Sequence, residues 1–408
     1  MQTQLSPELK DDPGAQAAAA VLKKCVHCGF CNATCPTYQL LGDELDGPRG
    51  RIYLIKQVLE GGEPTRSTQQ HLDRCLTCLN CETTCPSGVR YGELLEVGRS
   101  LVERRVPRPL SQRSVRWLLR EALTSSWFTP ALRLAQVFAP LLPKVLRDKV
   151  PARSMRRVAK APGKHSEKVL LLHGCVQPGM LPNIDAATVR VLDAAGIEVV
   201  QAAGTGCCGA LRSHLSDTEG GLTDMRRNID AWEPLLADGS IGAIVSSASA
   251  CALALKGYGH ALARDSRYQA RAARISALAR DLSELLPAIA PRIKSKVSPH
   301  AGRVVFHPPC TLQHGQKLKG GVEEQLRALG VDLHLPLADA HLCCGSAGTY
   351  SLLQPQIAAQ LRDRKLAHIH AAQPVCILSA NVGCIQHLQS GTQTPVKHWI
   401  EWLDEMTH

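Results

Sequence analysis

Residues 25–36 read CVHCGFCNATCP, and residues 75–86 read CLTCLNCETTCP. Each stretch has the spacing C-x2-C-x2-C-x3-C followed by proline, and the two copies lie 50 residues apart throughout. A pattern that returns at a fixed offset indicates units of similar structure that pack together. The eight cysteines of this first repeat are Cys25, Cys28, Cys31, Cys35, Cys75, Cys78, Cys81 and Cys85.

The spacing is typical of bacterial ferredoxins with two 4Fe–4S clusters, in which the fourth cysteine of each run ligates the other cluster. Three closely spaced thiolates surround three corners of a cubane, and the fourth corner must be met from elsewhere. Zinc is the alternative, because C-x2-C pairs also occur in zinc ribbons. The close third cysteine and the repeated C-P ending favour iron–sulfur. The predicted ligand sets are Cys25, Cys28, Cys31 and Cys85 for one cluster, and Cys75, Cys78, Cys81 and Cys35 for the other.

A longer repeat occupies the C-terminal part of the chain. Each copy contains a Cys-Cys-Gly triplet, at residues 207–209 and 343–345. The apolar runs KVLLLHGC and GRVVFHPPC predict short buried strands that end in cysteine. Other segments predict a helix, a glycine and a strand in turn, an alternation typical of parallel α/β units. The repeated cysteines are Cys175, Cys207, Cys208, Cys251, Cys310, Cys343, Cys344 and Cys384.

These cysteines are candidate ligands of a further centre. Two adjacent cysteines do not both face one tetrahedral metal comfortably, but they can bridge neighbouring irons of a larger cluster. We expect one or two further sites at the interface of the halves, with iron–sulfur favoured over zinc or simple packing. His173, His307 and His341 lie near the cysteines and are alternative ligands. The remaining cysteine, Cys376, lies in an apolar strand pattern and is predicted to be a small core residue.

Positive charge is concentrated in one part of the chain. The formal net charge is +11, and residues 99–160, the basic segment, hold 15 Lys and Arg against 3 Asp and Glu. The segment also contains Trp117, Trp127, Phe128 and Phe138. This composition predicts a pair of helices that lies on an anionic membrane surface. A linker subdomain packed on the cluster domain is the alternative, and nucleic-acid binding is disfavoured because no recognition motif accompanies the charge.

The location of the protein follows from two expected absences. No apolar run reaches the roughly 18 residues of a membrane-spanning helix, and the polar N-terminus MQTQLSPELKDDPG lacks the features of an export signal. Clustered cysteines in a chain without such a signal favour metal binding in a reducing compartment. We therefore expect a cytoplasmic protein, peripheral on the inner face of the cell membrane.

The cysteine runs and their surroundings also resemble a known family. KCVHCGFCNATCPTYQLLGDELDGPRGRIYLIKQVLEG, followed by HLDRCLTCLNCETTCPSGVRYGELLEVGR, closely resembles the iron–sulfur subunit of glycolate oxidase, or glycolate dehydrogenase. The Cys-Cys-Gly repeats resemble the cysteine-rich domains of heterodisulfide reductase, lactate-utilisation proteins and the small subunit of anaerobic glycerol-3-phosphate dehydrogenase. The resemblance covers nearly the whole chain.

The resemblance implies an electron-transfer subunit of an oxidoreductase complex. A separate FAD-binding subunit takes two electrons from glycolate, yielding glyoxylate, and this chain passes them through its clusters to a membrane quinone. It implies no flavin and no catalytic residue in this chain, and no nucleic-acid partner. A lactate or glycerol-3-phosphate dehydrogenase complex is the alternative, and an iron–sulfur redox sensor is a distant one.

One feature departs from the family pattern. The fuller Cys-Cys-Gly motif ends each half in C-x2-C, whereas here Ala248 precedes Cys251 and Asn381 precedes Cys384. One ligand is therefore missing from each half. A cluster simpler than the non-cubane one of heterodisulfide reductase, shared between the halves, is the remaining expectation.

The predicted fold is α+β and multidomain. A helical, ferredoxin-like two-cluster domain comes first, and two tandem α/β cysteine-rich repeats follow. The predicted divisions are 1–100 for the cluster domain, 101–165 for the basic helical segment and linker, 166–290 for the first repeat and 300–408 for the second.

Overall fold

The computed structural model describes residues 1–141, 163–298 and 302–407. The described chain before residue 142 is helical and contains no strand, as predicted for the surroundings of the first cysteine repeat. Short 3-10 turns lie at Pro7–Leu9, Glu44–Asp46 and Ala139–Leu141. The α-helices are α1 (Pro13–Lys23), α2 (Phe30–Ala33), α3 (Pro36–Leu41), α4 (Pro48–Leu59), α5 (Arg66–Asp73), α6 (Asn80–Thr84), α7 (Tyr91–Arg105), α8 (Leu110–Thr124) and α9 (Phe128–Phe138).

Helices α1, α4 and α7 pack around one apolar core and position the two cysteine loops. Asp12 caps α1, because its carboxylate accepts a hydrogen bond from the backbone N–H of Gly14 at 2.7 Å. Helix α7 approaches α4 closely at Gly98, where a β-carbon would lie 2.5 Å from Ile55 Cγ1. The core of this domain includes Ala15, Leu22, Ile55, Leu59, Leu94 and Leu95.

Helices α8 and α9 form the predicted pair in the basic segment. Neither contains a buried residue. Polar contacts attach α8 to its neighbours: Glu121 pairs with Arg212 at 2.9 Å, and Arg116 pairs with Asp73 at 3.1 Å. Residues 142–162, which include the end of the basic segment and most of the predicted linker, lie outside the described residues.

Two parallel four-stranded sheets follow, and their strand orders match. The first sheet has the order β2-β1-β3-β4 and the second β6-β5-β7-β8. Parallel neighbours need crossover connections, which place helices against the sheet faces. The matched order confirms the two tandem α/β repeats. The strands are β1 (Glu167–Leu172), β2 (Ile197–Val200), β3 (Ile241–Ser246), β4 (Ala279–Asp281), β5 (Val304–Phe306), β6 (Leu333–His334), β7 (Cys376–Ser379) and β8 (Val396–His398).

The helices of the two repeats bury a common core that spans both sheets. The C-terminal helix α22 packs on α11 of the first repeat, where Arg190 donates to both carboxylate oxygens of Asp404, at 2.7 and 2.6 Å. The first repeat contains α10 (Gln177–Met180), α11 (Pro182–Ala194), α12 (Ala210–His214), α13 (Thr218–Leu236), α14 (Ser249–Lys256), α15 (Tyr258–Ala261), α16 (Gln269–Leu278) and α17 (Leu282–Ile293). The second contains a π-helical turn (Thr311–Gly315), α18 (Gly321–Ala328), α19 (Tyr350–Leu353), α20 (Pro355–His370), α21 (Val382–Gln389) and α22 (Trp399–Thr407).

The repeated cysteines follow the carboxyl ends of the central strands, where parallel α/β sheets usually carry their sites. Cys175 follows β1 and Cys310 follows β5. The segments GAIVSSASAC and PVCILSANVGC each predict a strand that leads into a cysteine-bearing turn. In the structure these strands are β3 and β7, and each leads into the first turn of a helix, with Cys251 on α14 and Cys384 on α21. Cys376 lies in β7 and is 2% exposed, which confirms it as a core residue.

The four-part division of the chain by residue number stays a prediction.

Among the helices of the described residues, none has both the length and the apolar character that a bilayer crossing requires.

Candidate iron–sulfur centres

The first cavity is surrounded by four thiols that come from both copies of the short repeat. Cys25, Cys28 and Cys31 line it together with Cys85, so the last cysteine of the second copy reaches the first three of the first. The cavity has a volume of about 450 Å³, which includes its open mouth. Cys25 is buried and Cys28 is exposed, so the thiol cavity reaches the protein surface at Cys28.

The second cavity shows the reciprocal arrangement. Cys75, Cys78 and Cys81 line it together with Cys35, the last cysteine of the first copy. Its volume is about 310 Å³. Cys81 also borders the first cavity, so the two cavities are immediate neighbours.

The two cysteine loops share an unusual backbone conformation. His27 and Thr77 occupy the same place in the two copies, with φ of 58° and 53°, and the next such pair is Gly29 and Leu79, with φ of 87° and 61°. Positive φ costs a residue with a β-carbon about 1–2 kcal/mol. Strain of this kind concentrates where a loop must hold a ligand. Here it turns amides toward sulfur, since the N–H of Thr77 donates to Cys75 Sγ at 3.5 Å.

The donor set of both cavities fits a 4Fe–4S cluster. All 17 cysteines of the chain are free thiols, and eight of them line these two cavities. Four cysteine sulfurs are the ligands that such a cluster takes. Burial raises the pKa of the Cys31 thiol to about 11. At Cys75 burial also opposes ionisation, but the guanidinium groups of Arg51 and Arg99 hold the pKa below its usual value.

A buried arginine lies beside the second cavity. Arg51 is 1% exposed, and its Nη1 lies 4.0 Å from Cys35 Sγ. Its Nε donates to the carbonyl oxygen of His71 at 2.7 Å, and its Nη2 lies 3.4 Å from the carboxylate of Asp46. Arg74 binds the same carboxylate at 2.7 Å. This network holds a fixed positive charge against sulfur atoms that become anionic when they bind iron.

The first Cys-Cys-Gly repeat brings its four cysteines together. The thiols of neighbouring cysteines interact in turn: Cys175 with Cys207, Cys207 with Cys208, and Cys208 with Cys251. Contacts with Cys175 and Cys208 hold the pKa of the Cys207 thiol well below its usual value.

The glycine of each Cys-Cys-Gly triplet is required by the backbone. Gly209 and Gly345 have φ of 89° and 92°, and a β-carbon on them would lie 2.7 and 2.6 Å from the carbonyl oxygens of Gly221 and Ala358. Each glycine N–H also donates to Sγ of the first cysteine of its own pair, at 3.4 Å. Only glycine fits this close turn, which explains the third residue of the motif.

The second Cys-Cys-Gly repeat gathers its own ligand atoms. Cys310 Sγ lies 3.9 Å from Cys343 Sγ. The side chains of His307, Cys344 and Cys384 place one ligand atom each within 4.8 Å of the others. The contacts among the repeated cysteines run within each repeat, which favours two separate sites over the expected site shared at the interface of the halves.

The second cavity adjoins the second repeat. Leu76 and Cys78 of the cluster domain share one apolar cluster with Cys310 and Cys343. The side-chain amide of Asn80 donates to a carbonyl oxygen of the second repeat at 3.2 Å. Thiols of the two regions therefore meet across this contact.

Cysteine spacing gives no indication of Arg51. A signal does exist in the sequence, because Arg51 falls on the apolar stripe of α4 at helical spacing from Ile55 and Leu59. A charged side chain on such a stripe requires a buried partner. The sequence shows this position but does not identify Asp46 as that partner.

Comparison with known domain families agrees with these sites. Residues 21–89 match the 4Fe-4S dicluster domain, and residues 169–256 and 304–389 match the cysteine-rich domain. Together with the two thiol cavities and the paired parallel sheets, these matches define an iron–sulfur protein built from one dicluster domain and two cysteine-rich domains.

Comparison with whole proteins identifies the family. The chain is 51% identical over 406 residues to the glycolate oxidase iron-sulfur subunit of Escherichia coli, covering 99% of each chain. It therefore belongs to the family of glycolate oxidase iron–sulfur subunits, as its motifs suggest. It is 28% identical to the probable glycolate oxidase iron-sulfur subunit of Bacillus subtilis, over 91% of this chain and 89% of that one. Lactate utilization protein A of Geobacillus thermodenitrificans is 29% identical over 54% of this chain and 90% of its own.

Replacing Arg51 with methionine is predicted to lower the reduction potential of a cluster bound in the second cavity. Loss of a buried positive charge makes the addition of an electron less favourable. At a separation of roughly 6 Å and an effective dielectric constant of about 20, the effect is on the order of 100 mV for one electron. A redox titration followed by electron paramagnetic resonance measures it.

Two further variants serve as controls. Arg51→Lys keeps the charge and should retain a potential close to that of the wild type. Arg49→Met removes a half-exposed ion pair with Glu44 near the first cavity, and should not change the potential of the second cluster. An unchanged potential in Arg51→Met contradicts the role given to this charge.

Proposed function

We propose that this chain is the electron-transfer subunit of a glycolate-oxidising complex. Glycolate loses two electrons and two protons to a FAD-binding partner subunit and becomes glyoxylate, and this chain carries the electrons onward to a quinone at the membrane. The observation that carries the proposal is the pair of adjacent four-thiol cavities, the first with Cys28 exposed at the surface and the second adjoining the second repeat. Identity of 51% to a glycolate oxidase subunit supports the substrate.

The ligands of the two clusters are assigned from the cavity walls. Iron–sulfur clusters supply one-electron transfer at potentials that the protein adjusts through hydrogen bonds, charge and exposure. The chain contributes the four thiols of each site, the strained loops that aim amide groups at sulfur, and the buried charge of Arg51. The first cluster is held by Cys25, Cys28, Cys31 and Cys85, and the second by Cys35, Cys75, Cys78 and Cys81.

The order of the sites gives the direction of electron flow. At the mouth of the first cavity Val26 is 70% exposed and Phe30 62%, with Cys28 and Tyr53 exposed beside them. Large apolar side chains grouped in this way mark a surface that a partner protein covers. Electrons therefore arrive from the flavin subunit at the first cavity, pass to the second, and leave toward the second repeat.

Each Cys-Cys-Gly repeat holds a centre of its own, and the centre of the second repeat continues this route. Each repeat gathers four thiols at the carboxyl end of its sheet, and the thiols of the second repeat contact the second cavity. An iron–sulfur centre is the occupant that continues the electron path, whereas zinc cannot, because it has no redox chemistry. The ligands are Cys175, Cys207, Cys208 and Cys251 in the first repeat, and Cys310, Cys343, Cys344 and Cys384 in the second.

Changing Cys85 to serine is predicted to remove the first cluster, although Cys85 belongs to the second cysteine run. Changing Cys35 to serine removes the second cluster for the reciprocal reason. Anaerobic iron and sulfide assays should show the loss of about four irons in each variant, and electron paramagnetic resonance should show the loss of different signals. Cys376→Ser is the control, because it makes the same change at a cysteine that lies in β7, outside every site. Removal of the same signal by both variants contradicts the crossed assignment.

Changing Phe30 to aspartate is predicted to disrupt electron transfer from the flavin subunit. A charge placed at the mouth of the first cavity opposes the docking of an apolar partner surface. We expect glycolate-dependent dye reduction by the co-purified complex to fall about tenfold or more, with an unchanged iron content. Val375→Asp, at an exposed apolar residue of the second repeat, should retain full activity.

The same assay tests the substrate. Dye reduction by lactate or glycerol 3-phosphate, with none by glycolate, overturns the assignment in favour of a related dehydrogenase complex. Full glycolate activity in Phe30→Asp overturns only the docking surface.

We also propose that α8 and α9 rest on the inner face of the cell membrane. Both helices direct large apolar side chains to solvent, and the basic segment around them complements anionic lipid headgroups. Ion pairs attach α8 to the first repeat and the cluster domain, and the large apolar side chains of both helices remain exposed. The exposed apolar residues are Leu110, Val115, Trp117, Leu118, Trp127, Leu134, Val137 and Phe138.

The double variant Leu118→Glu, Leu134→Glu is predicted to weaken binding to vesicles that contain anionic lipid. Each leucine that inserts into the bilayer contributes about 1.5–3 kcal/mol to binding. We therefore expect the affinity for vesicles to fall at least tenfold in a sedimentation assay. Leu352→Glu, at an exposed leucine of the second repeat, serves as the control. Undiminished vesicle binding by the double variant overturns the proposal that α8 and α9 bind the membrane.

A further inference from the structure

His307 has an environment that ordinary core packing does not explain. It follows β5, is 1% exposed, and neither ring nitrogen has a hydrogen-bond partner among the described residues. An unpaired buried polar atom costs about 1–3 kcal/mol, and at least one ring nitrogen of a neutral imidazole is a donor. A bridging water needs several polar partners, and the neighbouring thiols are weak ones.

Other buried histidines of this chain do satisfy their nitrogens. His398 is fully buried, with Nε2 donating to the carbonyl oxygen of Ser247 at 2.8 Å and Nδ1 accepting from the N–H of Ile400 at 3.1 Å. His314 also uses both ring nitrogens, for a hydroxyl and a carbonyl oxygen. His307 therefore differs from His398 and His314 in having two ring nitrogens without a hydrogen-bond partner among the described residues.

The ring of His307 lies beside two thiols of the second repeat. One nitrogen of His307 and the sulfurs of Cys344 and Cys384 all lie within 4.8 Å of one another. Ligands of one tetrahedral metal lie roughly 3.5–3.8 Å apart when the metal–sulfur and metal–nitrogen bonds are about 2.3 and 2.0 Å. The three ligand atoms are therefore already grouped around one point.

The residue that stands at the missing cysteine position does not take its place. Asn381 is the N-cap of α21, and its side-chain oxygen accepts from the N–H of Gly383 at 3.4 Å. Its polar atom thus serves the helix end. His307 follows β5, whereas Asn381 follows β7, so His307 approaches Cys344 and Cys384 from another strand.

We propose that His307 is a ligand of the metal centre in the second Cys-Cys-Gly repeat, binding through an imidazole nitrogen beside Cys344 and Cys384. The inference rests on the proposed function, which places an iron–sulfur centre in that repeat. A neutral imidazole in place of the missing cysteine gives the centre one negative charge fewer than a fifth thiolate would, and histidine ligation raises the potential of iron–sulfur centres. The potential of the centre is therefore expected to be higher with the imidazole ligand than with a cysteine at the same position.

The two repeats differ at this position. His173 corresponds to His307 in the first repeat, but its Nδ1 bonds Asp185 at 2.7 Å and its side chain is 31% exposed. We assign the imidazole ligand to the second repeat alone, and His173 is accordingly the matched control.

The test is pulsed electron paramagnetic resonance on anaerobically reconstituted full-length protein with ¹⁵N-labelled histidine. Wild-type protein should show the strong nitrogen coupling of a metal-bound imidazole, and His307→Ala should lose it together with part of the bound iron. His307→Cys should regain the iron without the coupling, and at a lower potential. His173→Ala should retain both the coupling and the iron. Coupling that persists in His307→Ala, or only the weak coupling of a hydrogen-bonded ring in the wild type, overturns the proposal.

A second variant separates this inference from the proposed function. Cys343→Ser with Cys344→Ser should lower the iron and sulfide content if the repeat holds an iron–sulfur centre. Unchanged content in that variant overturns the centre itself, and with it the ligand. If this variant has less iron and sulfide but the wild-type protein shows no imidazole coupling, the repeat holds a centre and only the role of His307 is overturned.

Discussion

The structure depends on one constraint, which is that each four-thiol cavity must take its last thiol from the other cysteine run. Cys85 reaches the cavity of the first run and Cys35 that of the second. Neither loop can close alone, so the helices between them must bring together cysteines that are 40 to 60 residues apart in sequence. The core of α1, α4 and α7 provides that fixed frame. The left-handed residues at matched positions show that both loops accept the same backbone strain to surround their cavities.

The same constraint governs the charges and contacts around the cavities. Thiols are anionic when they hold iron, and anions in a buried site need compensation. Arg51 provides a fixed cation beside the second cavity, oriented by Asp46 and by the carbonyl oxygen of His71. The exposed first cavity has apolar neighbours instead, which suits a surface that another subunit covers. The second cavity adjoins the thiols of the second repeat, so the two cavities and that repeat lie in series.

Much of this arrangement is predictable from sequence, because cysteine spacing carries the chemistry directly. The grouping of the first repeat's cysteines around two cavities, the helical surroundings, the tandem α/β repeats and the buried position of Cys376 all follow from spacing and periodicity. The separation of the eight later cysteines into two groups does not, because it depends on how the two sheets pack. The contact between Arg51 and Asp46 depends on the conformation of the turn before α4, which cysteine spacing does not predict. His307 appears in the sequence as one of three nearby histidines, and only burial and unpaired nitrogens distinguish it.

The central claim is that paired cubane clusters, rather than another metal, organise the N-terminal domain. Metal and acid-labile sulfide measured together on wild-type protein purified without oxygen test it most directly. Two clusters in this domain require at least about eight irons and eight sulfides per chain, with no stoichiometric zinc. Protein that contains zinc and lacks labile sulfide under those conditions contradicts the account.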